Sequence, residues 1–276
     1  MQWSANRNPK CHGLGMAVLG RRFPCCEQLS GWHTSMRGTL SRSYEPHIAE
    51  WLPRSVTTPS GLVILLHGGV PRSSQLVRRT RQVYLRMLLF ARALHRAGRK
   101  RGLVVWLLRN RVRGWNEPEL DAVLDAQWAL AQAAARFPGL PVVLVGHSMG
   151  GRTALRVAGA PAIVAVAALA PWTPQEEPVI QLAGRAVLVA HGDRDRIVRP
   201  EVSYRYSIDA MRATDRICRF VVSGDGHAML RRAADWTALL EGFVLSQLGL
   251  QPENKVLTEA LTLSSLRNLN IPLPSL

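Results

Sequence analysis

The sequence predicts an α/β fold, a mostly parallel central sheet with helices on both faces. Short apolar runs recur along the chain, each followed by a stretch with helical periodicity. Repetition of that kind forces parallel strands joined by crossover helices. The runs are apolar throughout rather than alternating, as strands covered on both faces must be. With 276 residues, 47% of them hydrophobic, the chain can fill one sizeable core, which excludes disorder throughout.

Residues 1 to about 50 show no sustained period of 2 or 3.6 and are broken by Pro9, Pro24 and Pro46. A poorly ordered basic extension is expected over 1–50, an α/β domain over 51–250 and a tail over 251–276. Translation beginning at Met16 or Met36 would account for the character of the extension. The first strand is Leu62 to Leu66, ending in His67-Gly68-Gly69. A basic helix follows from about Ser74 to Ala97, with Val83, Met87, Phe90 and Leu94 as its apolar stripe. Leu103 to Leu108 is the next strand. Glu117 to Phe137 reads as a helix with Pro118 in its first turn and Leu120, Val123, Leu124, Gln127, Trp128, Ala131 and Ala134 as its stripe. Leu140 to Val145 is a strand, with a helical stretch from Arg152 to Ala158 after it. Ile163 to Leu169, Ala186 to Ala190 and Ile217 to Val222 complete the strands, and a last helix runs from about Ala228 to Leu248. Pro171 to Gly184 is the place for a short inserted lid. In the tail, Leu257, Leu261 and Leu266 suffice for a helical turn or two.

The net charge of +16 is carried by arginine, since Lys10, Lys100 and Lys255 are the only lysines. Pro71 to Arg101 holds basic residues and no acidic one. The helical spacing there puts Arg79, Arg81, Arg86, Arg92 and Arg96 on a solvated face, so no specific nucleic-acid partner is expected. No apolar run approaches the ~18 residues of a membrane span. Leu14 to Leu19 is followed by Arg21-Arg22 without a small-residue cleavage site. A cytoplasmic location is therefore expected. Cys11, Cys25, Cys26 and Cys218 have neither disulfide-framework density nor zinc spacing and read as thiols.

The chemistry concentrates at Gly146-His147-Ser148-Met149-Gly150-Gly151, directly after the Leu140 to Val145 run. A serine between glycines at a strand-to-helix corner marks a sharp turn that lifts its hydroxyl out, beside the N–H groups of a starting helix. Ser148 is thus a candidate nucleophile, which requires a base and an acid. In open α/β sheets such groups gather at the carboxyl ends of strands. Two later strand ends carry them: His191-Gly192-Asp193-Arg194-Asp195 and Ser223-Gly224-Asp225-Gly226-His227.

With Ser148, an aspartate loop and His227 in that order, the chain resembles the α/β-hydrolase family from about Gly61 to Leu248. The resemblance implies Asp195 as the acid, with Asp193 in reserve, and His227 as the base. It likens His67-Gly68-Gly69 to the family's oxyanion loop, implying the N–H groups of Gly69 and Met149 as donors, with Val70 as the fallback for a shifted register. His147 and His191 read as packing or structural residues. Trp172, after a strand end, is a candidate for the substrate-pocket wall. The activity implied is hydrolysis of a carboxylic ester of a small acyl substrate through an acyl-enzyme, without cofactor or metal. Thioesterase, amidase or peptidase, and acyltransferase chemistry would use the same groups. A non-catalytic binding protein using the surface from Arg72 to Arg101 is the alternative of a different class. Oligomeric state and physiological substrate are not legible in the sequence.

Overall fold

A computed structural model of the protein describes residues 45–54, 56, 58–252, 255–262 and 265–275. Expectations that fall on residues 1–44, including order, alternative starts and three of the four cysteines, lie outside the described residues. An eight-stranded sheet organises the rest, in the order β1-β3-β2-β4-β5-β6-β7-β8. The strands are β1 (His47–Trp51), β2 (Gly61–Leu66), β3 (Leu103–Arg109), β4 (Val142–His147), β5 (Ile163–Leu169), β6 (Ala186–Gly192), β7 (Ile217–Val222) and β8 (Ile271–Pro272). Only β1 runs antiparallel, pairing Ala49 with Leu107 at the β3 edge. All other pairings are parallel.

Alternate residues of each strand feed two cores. Val63, Leu65, Val143 and Val145 face helices α1 (Gln82–Gly98) and α5 (Ala233–Gln247). Leu62, Ile64, Leu66 and Leu144 face α2 (Asp121–Arg136), α3 (Met149–Arg156) and α4 (Pro200–Ala210). Burial on both sides is why the strands read as unbroken apolar runs. Among the described residues no helix is long and apolar enough to cross a membrane.

Several elements differ from the sequence reading. α1 starts at Gln82 rather than about Ser74, because residues 70–77 are drawn into bridges with the chain after β3, Val70 with Gly114 and Leu76 with Val112. α2 starts at Asp121, and Pro118 lies before it in a cis peptide rather than in its first turn. The buried face of α2 is also not the expected stripe. Ala122, Val123, Asp125, Ala126, Ala129 and Ala133 are buried, whereas Leu124 is exposed. Small alanines let the helix approach the sheet closely, and Asp125 turns inward to accept from the backbone and guanidinium of Arg111. α5 is shorter than expected at its start, where Met229 takes positive φ in the turn after β7.

Neither chain end of the expected domain holds as drawn. His47–Trp51 forms β1, so the domain begins before residue 51; Glu50 accepts from Trp106 Nε1 and pairs with Arg136. The tail returns to the sheet rather than trailing from it. Helix α6 (Lys255–Thr262) buries Leu257 and Leu261, a 3₁₀ turn Leu266–Leu269 buries Leu269, and β8 pairs with β7. Leu266 itself stays exposed. Leu273 N–H donates to Val221 O, and Arg219 Nη1 donates to Leu269 O. Pro171 to Gly184 is likewise tied down: Glu177 pairs with Arg152 and Arg156, and Leu182 is fully buried.

Docking of the tail makes a prediction. Leu257→Ala leaves a void in the α1/α5 core and should lower unfolding stability by about 2–5 kcal/mol, the usual cost for a fully buried leucine. Chemical denaturation measures this, and a loss near zero would mean that the tail does not pack there.

Candidate active site

Ser148 sits between β4 and α3 with φ 57° and ψ −119°, the conformation of the sharp turn its neighbours predict. A methyl group at Gly146 would overlap the Gly150 carbonyl, and one at Gly150 would overlap the Leu66 carbonyl, so the bend closes only with glycine at both positions. Ser148 N–H donates to Leu169 O, and Ser148 O accepts from the N–H groups of Arg152 and Trp172. The turn is thereby fixed to β5 as well as to its own helix.

His227, in the loop after β7, brings Nε2 to 3.0 Å from Ser148 Oγ. Its Nδ1 lies 2.7 Å from Asp195 Oδ2. Asp195 is buried, and its other oxygen accepts from the N–H groups of Ile197 and Val198 at 2.8 and 2.9 Å. Burial alone would raise this carboxyl's pKa. Hydrogen bonds from His191, His227 and the Val198 backbone outweigh that and hold it well below the usual carboxylate range. Asp193 is elsewhere: it is exposed and accepts from Gly224 N–H at 2.7 Å, bridging the two loops. The structure therefore brings Ser148, His227 and Asp195 into one hydrogen-bonded chain and leaves Asp193 out of it.

Gly69 and Met149 also meet beside the serine. Among the described residues neither N–H is recorded donating, and Met149 opens α3, where helix geometry leaves the first N–H groups without an intrahelical acceptor. A side chain at Gly69 would run into Met149 Sδ and the Arg113 carbonyl. Val70 N–H is spent on Arg113 O at 3.0 Å, which removes the fallback register. His67 is buried, with Nδ1 2.7 Å from Gly68 O and Nε2 accepting from Asn110 N–H, so it fixes the loop carrying Gly69. Such a constellation sets a hydroxyl, an imidazole and a buried carboxylate in line, with the Gly69 and Met149 N–H groups close by. Among the described residues no group of three or more His, Cys, Asp or Glu is placed to hold a metal ion.

Comparison with known proteins bears on this constellation. A family model described as the alpha/beta hydrolase family matches residues 63–259. The chain belongs to the alpha/beta hydrolase family. Similar solved structures include an alpha-beta serine hydrolase homologue from Coxiella burnetii, 18% identical, covering 71% of this chain and 90% of that one with a TM-score of 0.54. Another is a serine hydrolase without lid from Xanthomonas campestris, 21% identical over 74% and 88% of the two chains, TM-score 0.52. A monoacylglycerol lipase from Paleococcus ferrophilus is 17% identical over 74% and 99%, TM-score 0.53. At these identities the likeness establishes the fold. No curated protein matches the chain in sequence.

Around this alpha/beta hydrolase site, His147 and His191 take the structural roles expected of them, whereas the roles of Asp225 and Arg152 escaped the sequence reading. His191 reaches Asp195 Oδ2 through Nε2 at 3.1 Å while its Nδ1 meets Ser203 Oγ at 2.8 Å, so the acid is held by two imidazoles. His147 places Nε2 2.9 Å from the His227 carbonyl and its ring 4.8 Å from the His227 ring, steadying the base loop. Asp225 accepts from Gly226 N–H, Arg232 N–H and Trp236 Nε1–H and ties the same loop to α5. Arg152 is buried on α3 between Trp115 and Trp172, with its guanidinium 4.0 and 4.7 Å from the two ring centroids. It also pairs with Glu177 at 2.6 Å and Glu117 at 3.0 Å. Trp172 thus adjoins the serine turn through its backbone, while its ring is engaged with Arg152. The spacing of His191 to Asp195 was the only local signal for any of these.

A pH dependence follows from the buried histidines. Burial lowers the His67 pKa from 6.5 to about 4, and burial with the nearby His227 keeps His147 well below 6.5. Between those values the unfolded chain takes up protons that the folded chain refuses, so stability falls as pH drops through the window. The His67 share is about 3 kcal/mol, from 1.36 kcal/mol per pKa unit. Urea unfolding between about pH 7 and 4 should show this decline, and His67→Gln should make it shallower. A flat profile, or one unchanged in the variant, would contradict it.

Proposed function

We propose that the protein is a serine hydrolase that cleaves a carboxylic ester of a small acyl substrate through an acyl-enzyme. The observation that carries this reading is the unbroken chain Ser148 Oγ, His227 Nε2, His227 Nδ1, Asp195 Oδ2, at 3.0 and 2.7 Å. His227 takes the hydroxyl proton as Ser148 Oγ attacks the carbonyl carbon. Asp195 stabilises the imidazolium and keeps the proton of Nδ1 in place, and the N–H groups of Gly69 and Met149 receive the oxyanion. Collapse of the tetrahedral adduct expels the alcohol, which takes its proton from His227. Water, deprotonated by the same imidazole, then releases the acid and restores Ser148. The doubly held Asp195 suits this role, since an acid fixed as a carboxylate is ready to pair with an imidazolium. Est1E from Butyrivibrio proteoclasticus, an esterase from Thermogutta terrifontis and the monoacylglycerol lipase are among the similar structures, which favours an ester over other acyl bonds. The short segment from Pro171 to Gly184, pinned through Glu177, fits an open mouth and a soluble small-molecule substrate.

Ser148→Ala should lower hydrolysis of activated esters by about 10⁴- to 10⁶-fold without loss of the folded state. Full activity in that variant would sink the reading. Among the acids, Asp195→Asn should cost about 10⁴-fold while Asp193→Asn costs less than about tenfold. The reverse order in steady-state kinetics would assign the acid to Asp193.

A further inference from the structure

His227 forms part of the wall of a cavity of about 650 Å³, within the range of small-molecule sites. The same wall carries Arg86 from α1, Arg194 and Arg196 on either side of Asp195, and Arg231 from the base loop. Four arginines from three segments therefore line the space beside the catalytic imidazole, Arg231 with its Nη1 donating to Gly224 O at 3.3 Å. The one carboxylate in the lining, Asp225, is buried and occupied by Gly226, Arg232 and Trp236. Among the described residues none of the four arginines is recorded in an ion pair, whereas Arg111, Arg136, Arg152, Arg156, Arg212 and Arg232 all are.

Arg86 sharpens the point. Sequence periodicity assigned it to the solvated face of α1, but its side chain turns partly inward, and its buried Nε has no hydrogen-bond partner among the described residues. Its charge is close enough to bias the titration of His147, whose buried Nδ1 is also without a partner. A buried charged donor left unmade, and like charges gathered around one space, are both costly unless something negative completes the site. Arg86 is half-buried, while Arg194, Arg196 and Arg231 are exposed at the same cavity.

We propose that this cavity holds a carboxylate or phosphate group of the substrate, so that the acyl substrate is an anionic small molecule. The proposal rests on the serine-hydrolase reading for the identity of the reacting bond, but the anion site itself does not. Arg86 and the flanking pair Arg194 and Arg196 would act as the specificity determinants, placing the charged end of the substrate on the base side of Ser148.

The test uses the full chain carrying Ser148→Ala, titrated calorimetrically with monomethyl succinate, which is anionic, and with dimethyl succinate, its neutral counterpart. The anionic ester should bind at least about tenfold more tightly, and that preference should shrink as salt rises to about 0.5 M. Arg196→Gln and Arg231→Gln, both at exposed positions, should each erode the preference about three- to fivefold, and Arg86→Gln by more. Arg216→Gln removes the same charge at the amino end of β7, away from the cavity, and should leave the preference intact. Equal or undetectable binding of the two esters overturns the proposal, as does a preference that Arg216→Gln lowers as much as Arg196→Gln. Turnover by the chain with Ser148 intact separates the two readings. Arginine-dependent binding without turnover would remove the hydrolase assignment and keep the anion site, and turnover of both esters at equal rates would do the opposite.

Discussion

Ser148 holds a backbone conformation that costs a non-glycine residue on the order of 1–3 kcal/mol, and the surrounding layers are arranged to keep it there. The bend needs β2 close behind it, because Gly150 lies against the Leu66 carbonyl, and it needs β5 beside it, because Leu169 accepts the serine N–H. Both strands are central and buried on both faces, so the strain is carried by the stiffest part of the molecule. The same placement sets β2 and β4 next to each other, and with them the two loops that supply Gly69 and Met149. The positions of the serine and of the Gly69 and Met149 N–H groups are thus one consequence of strand order.

Charge is distributed around this corner with equal economy. Asp195 lies in the interior, yet two imidazoles and two backbone N–H groups keep it ionised, and one of those imidazoles is His227, held through a single short hydrogen bond. Behind the serine helix the positive charge of Arg152 is neutralised by Glu177 and Glu117 and shielded by two tryptophans. Among the described residues the arginines beside His227 form no ion pair of that kind. The contrast between a closed ion-pair network on one side and arginines without acidic partners on the other is the basis for the proposed anionic substrate.

Much of the framework was legible because parallel strands advertise themselves: Leu62–Leu66, Leu103–Leu108 and Ile163–Leu169 are apolar on both faces and cannot be mistaken for surface segments. Ser148, His227 and the aspartate loop were legible for a related reason, since each follows such a strand at its carboxyl end, while the preference for Asp195 over Asp193 came from the family resemblance. What failed was whatever depends on partners distant in sequence. The face of α2 was misjudged because alanine rather than leucine packs on the sheet, a choice dictated by the close approach of the helix and by Arg111 waiting for Asp125. β1 and β8 are short edge strands, defined by pairing with β3 and β7 rather than by their own period. The inward turn of Arg86 and the Arg152 to Glu177 pair have no local signature at all, because each is set by the tertiary fold.

The central claim is that Ser148 Oγ, activated through His227, forms a covalent bond with an electrophile. Incubating the full chain with a fluorophosphonate and sequencing the modified peptide by mass spectrometry examines that bond directly. One adduct on Ser148, lost when His227 is replaced by alanine, is the predicted result. A chain that stays unlabelled, or that is labelled on another residue with Ser148 untouched, would contradict it.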